Sequence, residues 1–329
     1  MKDIITLGEL LIDMTQNGTD EQGNGRFTAY PGGAPANVAV AAARLGAETG
    51  FIGKVGNDAF GRSLAETLRK EGVDVSGLFT CNEVPTTMAL VSVDEKGERE
   101  FAFYRNPGAD TQLTPDEAIA AIAGSHIRGN EDLTGGEAEL PRILHVGSLS
   151  MTTMPAKEAC ESAVRFAKDR GVLISYDPNY RAALWGSEEH AIEMMKVLLP
   201  LADILKVSDE EMLMLTGTED FEEGSLILSE YGPSLVLVTL GSQGVFARYG
   251  EFTEVVPGFR VKVADTNGAG DTFLGAMLAQ VAQKERLLAG LEAEELRRMI
   301  TYANKAASLT CSRHGAIPAM PFASEVNMG

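Results

Sequence analysis

Six short, nearly continuous apolar runs alternate with helix-patterned stretches, and this alternation constrains the fold more than any other feature of the chain. The runs are Ile4 to Gly8, Gly50 to Gly53, Arg142 to Gly147, Val172 to Asp177, Asp203 to Val207 and Leu235 to Leu240. Helical periodicity marks Ala34 to Leu45, Asp58 to Glu71, Pro155 to Arg170, Glu188 to Leu199, Ser208 to Leu215, Asp271 to Lys284 and Ala293 to Cys311. Strands apolar on both faces need helices on both faces. The pattern therefore predicts an α/β fold, a doubly wound and mostly parallel sheet flanked by helices. One segment breaks the order. Thr86 to Val93 and Glu98 to Tyr104 alternate in β fashion around Asp94-Glu95-Lys96-Gly97, which reads as a hairpin and predicts a small β flap at one edge of the main sheet. Gly124 to Glu139 is Gly-rich and charged without periodicity, and reads as a mobile surface loop.

The 329 residues suffice for a large core without disulfide or metal staples. With 28 Lys+Arg against 47 Asp+Glu the net charge is −19, which argues against broad nucleic-acid or anionic-membrane binding, since both need a basic face. A local cationic site for an anionic substrate remains compatible. Cys81, Cys160 and Cys311 are far apart, and the four histidines show no metal-ligand spacing, so a reducing compartment fits better than a disulfide or zinc framework. Acids interrupt the N-terminal apolar run, so it does not read as a signal peptide, and no run approaches the length of a membrane span. A cytoplasmic location is expected.

Ligands of open α/β sheets bind beyond the carboxyl ends of the strands. Those ends carry Glu9 and Asp13, Gly147-Ser148, Asp177-Pro178-Asn179-Tyr180-Arg181, Lys206-Val207-Ser208-Asp209-Glu210-Glu211 and Thr239-Leu240-Gly241-Ser242. Polar turns are common on their own account, but five such loops on one rim point to a site. The sharpest local signal is Asp265-Thr266-Asn267-Gly268-Ala269-Gly270-Asp271-Thr272-Phe273, small residues leading into an apolar helix. Backbone N–H groups of Gly268, Ala269 and Gly270 can converge there on an anion at the helix N-terminus. Asp271 in the first turn then serves as a base for a hydroxyl, or merely as a cap. A Walker A motif and a full dinucleotide fingerprint are both absent. A second cluster, Pro31-Gly32-Gly33-Ala34-Pro35-Ala36-Asn37, opens a helix of Ala and Val, suited to close packing or to hydroxyls reaching the backbone, with Asn37 supplying an amide.

At these two clusters the chain resembles the ribokinase-like (PfkB) carbohydrate kinases, and among them the fructokinases most. PGGAPANVAVAAARLGAETGFIGKVGNDAFG (31–61) resembles the family's first signature and DTNGAGDTF (265–273) its second. The resemblance covers essentially the whole chain and implies one kinase domain over 1–329, with a lid from segments near 10–30 and 86–105 that often forms a dimer clasp. It implies Asp271 as catalytic base and Gly268, Ala269 and Gly270 as anion hole. Asp13, Gly32, Gly33 and Asn37 fall where the family grips sugar hydroxyls, with Arg105 and Arg181 at the substrate end. The nucleotide is expected over Ser208, Thr239, Gly241 and Gly244, with Asn304 near the base. Glu211 matches the residue that organises Mg²⁺ through water, although Ser208 stands where many relatives carry Asn. Asp265, Asn267 and carbonyls around Thr310 to Gly315 match a monovalent-cation site, K⁺ foremost.

The implied reaction is ATP-dependent phosphorylation of a primary hydroxyl, with D-fructose going to fructose 6-phosphate. A 2-keto-3-deoxygluconate kinase, whose acid substrate would use Arg105 or Arg181, stays open, as does a ribose or nucleoside kinase. A non-catalytic sugar or nucleotide sensor is the rival of a different class, and the intact Asp271 and Gly270 speak against it. A homodimer is expected, without nucleic-acid or membrane partners.

Overall fold

A computed structural model describes residues 2–93, 99–124 and 140–326. The first turn of the alternation is β1 (Ile4–Leu7), followed by β2 (Leu11–Thr19), β3 (Gly25–Gly32), α1 (Ala34–Arg44), β4 (Thr49–Gly56), α2 (Ala59–Lys70) and β5 (Asp74–Cys81). Then come β6 (Met88–Val93), β7 (Arg99–Tyr104), α3 (Pro115–Ile122), β8 (Ile143–Gly147), α4 (Ala156–Lys168), β9 (Leu173–Asp177) and α5 (Glu188–Leu198). The chain continues through β10 (Ile204–Ser208), α6 (Asp209–Thr216), α7 (Phe221–Glu230), β11 (Leu235–Thr239), β12 (Gly244–Tyr249), β13 (Phe252–Pro257), α8 (Ala269–Ala282) and α9 (Ala293–Cys311).

Among the described residues these strands form a nine-stranded sheet of order β13-β12-β11-β10-β9-β8-β1-β4-β5 and a four-stranded sheet of order β3-β2-β6-β7. The large sheet is parallel from β5 to β11 and turns antiparallel at β12 and β13. The six expected strands are all in it. The hairpin around 94–97 is present as β6 paired antiparallel with β7, and it joins β2 and β3 rather than the main sheet. Its turn, like the loop expected beyond Gly124, lies outside the described residues.

Several elements escaped the periodicity for local reasons. β4 runs on past Gly53 because Lys54, which ends the apolar run, is neutralised by Glu117 at 2.7 Å. α3 is short but starts on a reciprocal capping box, with Thr114 and Glu117 each satisfying the other's backbone N–H. β5 and β13 are half-exposed edge strands, so their residues do not read as apolar runs, and the buried run of β12 is only Gly244 to Ala247.

One face of the large sheet packs α1, α8 and α9, and the other packs α3 to α7. α1 and α8 approach very closely. A Cβ on Gly275 would lie 2.6 Å from that of Ala41 and 3.0 Å from the carbonyl oxygen of Val38. That contact sets the N-termini of α1 and α8 side by side at the carboxyl end of the sheet, and the candidate site lies there.

Candidate active site

α8 begins at Gly268, which takes φ 74°, a left-handed conformation that glycine adopts without strain. The turn is pinned from behind by Asp265, whose two carboxylate oxygens accept from the N–H of Asn267 (2.9 Å) and of Gly315 (3.1 Å). Ala269 N–H makes a long 3.3 Å bond to the carbonyl of Thr266. Asp271 lies one residue beyond Gly270, in the first turn. Its Oδ2 accepts a 2.8 Å hydrogen bond from Nδ2 of Asn37 in the first turn of α1. The close helix packing therefore joins the two glycine clusters, 234 residues apart, through one side-chain contact.

Burial pushes the Asp271 carboxyl up to about 6, with nearby Asp177 adding to the rise, while Asn37, Lys206 and Arg181 oppose it. Asp13, on β2 of the small sheet, is likewise raised to about 6 by burial, moderated by Arg181 and reinforced by Asp271 and Asp265. Arg181 and Asp271 line one cavity, and Asp13 lies within reach of the charge of both. Gly32 belongs to the same group, since a Cβ there would overlap the Asp13 carboxylate. Gly33 (φ 109°) caps α1, and its own Cβ would overlap the backbone carbonyl of Glu9.

Lys206 and Asp177, which the sequence places only among the polar strand ends with no role of their own, form the densest charge at the site. Their side chains are 9 % and 3 % exposed and meet at 2.9 Å across neighbouring strands. Burial works against the Lys206 ammonium, but Asp177, Glu211 and Asp271 outweigh it and hold its pKa above the ordinary lysine value. A Cβ on Gly270 would sit 3.2 Å from Lys206 Nζ, so the ammonium stands at the mouth of the α8 turn. The available signal was a charge at the end of each apolar run, in Ile204-Leu205-Lys206-Val207 and in Ser175-Tyr176-Asp177.

Glu211 ties this floor together. Its carboxylate accepts from Ser208 N–H at 2.8 Å and from Tyr180 N–H at 2.7 Å, joining the start of α6 to the 177–181 loop. Ser208 returns the bond to Glu211 N–H, a capping box. Both Glu211 oxygens are thus engaged, which suits an outer-sphere contact better than direct metal coordination, and among the described residues no group of three or more His, Cys, Asp or Glu is arranged to hold a metal ion. Ser208, Glu211, Arg181, Lys206 and Asp271 share a cavity of 410 Å³.

A second cavity of 710 Å³ adjoins it at Thr266 and Gly270. It contains Thr239, Gly241, Gly244 and Asn304, four of the five residues expected at the nucleotide, and Ser208 falls in the smaller neighbour instead. Its walls are mostly backbone and small or apolar side chains such as Val261, Phe273 and Ala307. Asn304 donates to the carbonyls of Val256 and Pro257, both at 3.1 Å. Arg105 is placed differently from the expectation of a substrate contact. Its guanidinium is 5 % exposed and is spent on Asp110, Thr152 and the carbonyl of Leu149. Arg181 is exposed, bonded only to the neighbouring carbonyl of Tyr180 among its described contacts.

The profile of the pfkB family carbohydrate kinases matches residues 1–323. The chain belongs to this family. Among curated pfkB relatives, a probable fructokinase-2 of Arabidopsis thaliana is 40% identical over 321 residues, covering 97% of this chain and 92% of that protein. Among solved structures, the fructokinase of Xylella fastidiosa with bound ATP superposes with a TM-score of 0.86 at 34% identity, covering 99% of this chain and 97% of that one. A double mutant of the Vibrio cholerae O395 fructokinase, bound to fructose, ADP and potassium ion, gives 0.83 at 31% identity over 99% and 97% of the two chains. Mixed α/β architecture with a separate small sheet is therefore the family's, and no helix among the described residues is long and apolar enough to cross a membrane.

Proposed function

We propose that this pfkB-family kinase transfers the γ-phosphoryl group of ATP to the primary hydroxyl of D-fructose, giving fructose 6-phosphate and ADP. The observation that carries the reading is the Asp271 carboxylate, oriented by Asn37 at 2.8 Å and set beside both the α8 turn and Lys206. The fructokinase relatives and the fructose-bound neighbour support the sugar.

In this reading ATP lies in the larger cavity, over Thr239, Gly241 and Gly244 with Asn304 beside it, and its γ-phosphate reaches the α8 turn. Asp13, the Gly32–Gly33 backbone and Asn37 hold the sugar, and Arg181 lies at its outer end. The sugar hydroxyl gives its proton to Asp271, its oxygen bonds to the γ-phosphorus, and the bond from that phosphorus to the β-phosphate oxygen breaks to release ADP. Amides of Gly268 and Gly270, with a smaller share from Ala269, and the Lys206 ammonium stabilise charge on the moving group. Mg²⁺ bound with the nucleotide would supply positive charge against the phosphates, and Glu211 would be the residue that holds it, through water. A monovalent cation, K⁺, would be held where Asp265 draws the 310–315 loop to the 265–268 turn. Arg105 acts through Asp110 in fixing the chain beyond β7.

The small sheet serves as the lid of a single kinase domain, excluding water that would compete for the phosphoryl group. Its exposed Phe27 and Tyr104, at 42% and 60%, suit it to pair with a second copy of the chain. Light scattering should give twice the chain mass. Three free thiols fit a cytoplasmic location.

The deciding assay is ADP release from MgATP with fructose, 2-keto-3-deoxygluconate, ribose and adenosine. Fructose should exceed the others at least about tenfold in kcat/KM, a discrimination within reach of one correctly satisfied hydroxyl. Preference for the keto acid would move the substrate and keep the chemistry, whereas no turnover on any of the four would overturn the proposal.

A further inference from the structure

Helix α1 carries Asn37 and follows Gly32–Gly33, yet nothing in its own sequence caps it. Its N-cap is Gly33, no side chain of that residue is available, and no acid stands in the first turn. The missing acceptor comes from Glu9, in the three-residue link between β1 and β2. Its Oε1 accepts from the N–H of Ala34 at 2.8 Å, although the residues are 25 apart. Two further contacts surround this bond. The Glu9 carbonyl fills the space where Gly33 would carry a Cβ, and a Cβ on Gly8 would lie 2.5 Å from Pro35 Cγ. Gly8 and Glu9 thus grip Gly33, Ala34 and Pro35 in succession.

Glu9 is 2% exposed, and its Oε2 has no hydrogen-bond partner among the described residues. A half-satisfied buried carboxyl group is costly, and a side chain serving only to fill space here would be apolar. The first turn it holds leads directly to the acceptor site. Asn37 N–H bonds to the Gly33 carbonyl at 2.9 Å, Asn37 Nδ2 orients Asp271, and Asn37 Oδ1 is buried with no hydrogen-bond partner among the described residues.

We infer that Glu9 is a positioning residue for the acceptor end of the site, acting through the first turn of α1 to set Gly33 and Asn37 against the sugar. The inference rests on the sugar-kinase reading and goes beyond it. Since the nucleotide cavity contains no residue of α1, the effect should separate the two substrates.

In full-length Glu9→Ala, the KM for fructose should rise about tenfold, the scale of one charge-assisted hydrogen bond, while the KM for ATP stays within about twofold. Amide hydrogen exchange over residues 33–37 should quicken. Glu9→Gln retains an acceptor oxygen and should hold the fructose KM within about threefold of the native value. Native exchange over 33–37 in a folded Glu9→Ala protein, or an equal rise in both KM values, would overturn the inference. If Glu9→Ala yields no folded protein, Ala34→Pro deletes the donated N–H at a helix position that suits proline. An unchanged fructose KM in that variant would overturn it too. If the native chain phosphorylates no sugar, the reaction assignment fails by itself, and exchange over 33–37 alone decides whether Glu9 holds the turn.

Discussion

The two halves of the cleft are built from different materials. At the acceptor end, charged side chains from distant elements are buried against one another, with Lys206 on Asp177, Glu211 on the amides of Ser208 and Tyr180, and Asp271 on Asn37. The end proposed for the nucleotide is shaped by backbone and small residues, and Asn304 bonds only to main-chain carbonyls among its described contacts. The difference fits the chemistry that the proposed function asks of each end. Proton and phosphoryl transfer need charges fixed in advance at low dielectric. Holding a large flat ring needs shape, which small residues and main chain supply. Substitutions of the buried charges should therefore act chiefly on kcat, those that only displace the sugar's contacts on the fructose KM, and those at the second end on the KM for ATP.

The largest test of that division is Asp271→Asn. It should lower kcat by about 10²–10⁴-fold, the range for a lost general base, with KM for ATP nearly unchanged. It should also raise Tm slightly, because the amide removes a buried carboxylate whose ionised form is disfavoured. The native pH profile carries the same signature. With Asp271 raised to about 6, kcat/KM should fall as pH drops below about 6 and the base protonates. For stability the sign is opposite. Asp13 and Asp271 (about 6) and Glu9 (about 7) bind protons in the folded state that the unfolded chain has already released. Their contribution is intact below the unfolded carboxylate range near 4 and is lost as pH climbs through 6 and 7. Thermal melts of ligand-free protein should show Tm declining over that window, and a Tm rising from pH 5 to 7 would contradict it.

Lys206→Met comes next. Removing the ammonium should cost on the order of 10²-fold in kcat, the scale of one lost transition-state donor. It leaves Asp177 and Glu211 buried without their counter-charge, destabilising the fold by about 3–5 kcal/mol. A stability effect alone would not move the pH profile. Because Lys206 holds the Asp271 carboxyl down, the acid limb should shift above 6 in the variant, and an unmoved limb would detach Lys206 from the base.

What the sequence disclosed follows the same divide. The turns at 268–270 and 31–37 are local, so residue size and spacing expose them, and the helices they open lie where periodicity put them. The Lys206–Asp177 pair is invisible locally, because the residues are 29 apart and meet only when β9 and β10 align. Glu9 is hidden for the same reason, its partner belonging to the far side of the β2–β3 hairpin. Arg105 shows the converse error. A lone Arg near a glycine turn looks like an anion ligand, but Asp110 five residues on takes its guanidinium into the interior. The antiparallel β13 edge went unread because a half-exposed strand mixes polar and apolar residues, and β12 because its buried run, Gly244 to Ala247, is short.

Gly32→Ala probes the acceptor end without touching a charge. Its Cβ would overlap the Asp13 carboxylate and turn it away from the sugar. We expect the fructose KM to rise about tenfold, as for one displaced charged hydrogen bond, with little change for ATP. Equal changes for both substrates would mean that the small sheet moves as a unit and that the two ends are not separable.

Asn304→Ala should have the smallest effect and is the sharpest check on the nucleotide end. The variant loses two neutral bonds of 3.1 Å, to Val256 and Pro257, that hold α9 against the end of β13. Each such bond is worth about 0.5–1.5 kcal/mol net. Part of that goes to stability, and water entering from the open cavity can satisfy the freed carbonyls. The KM for ATP should therefore rise only about threefold to fivefold, with kcat and the fructose KM unchanged. If kcat instead fell by 10²-fold, shape would not be the principle of the nucleotide end, and Asn304 would have to be coupled through α9 and the 310–315 loop to Asp265 and the turn before Asp271.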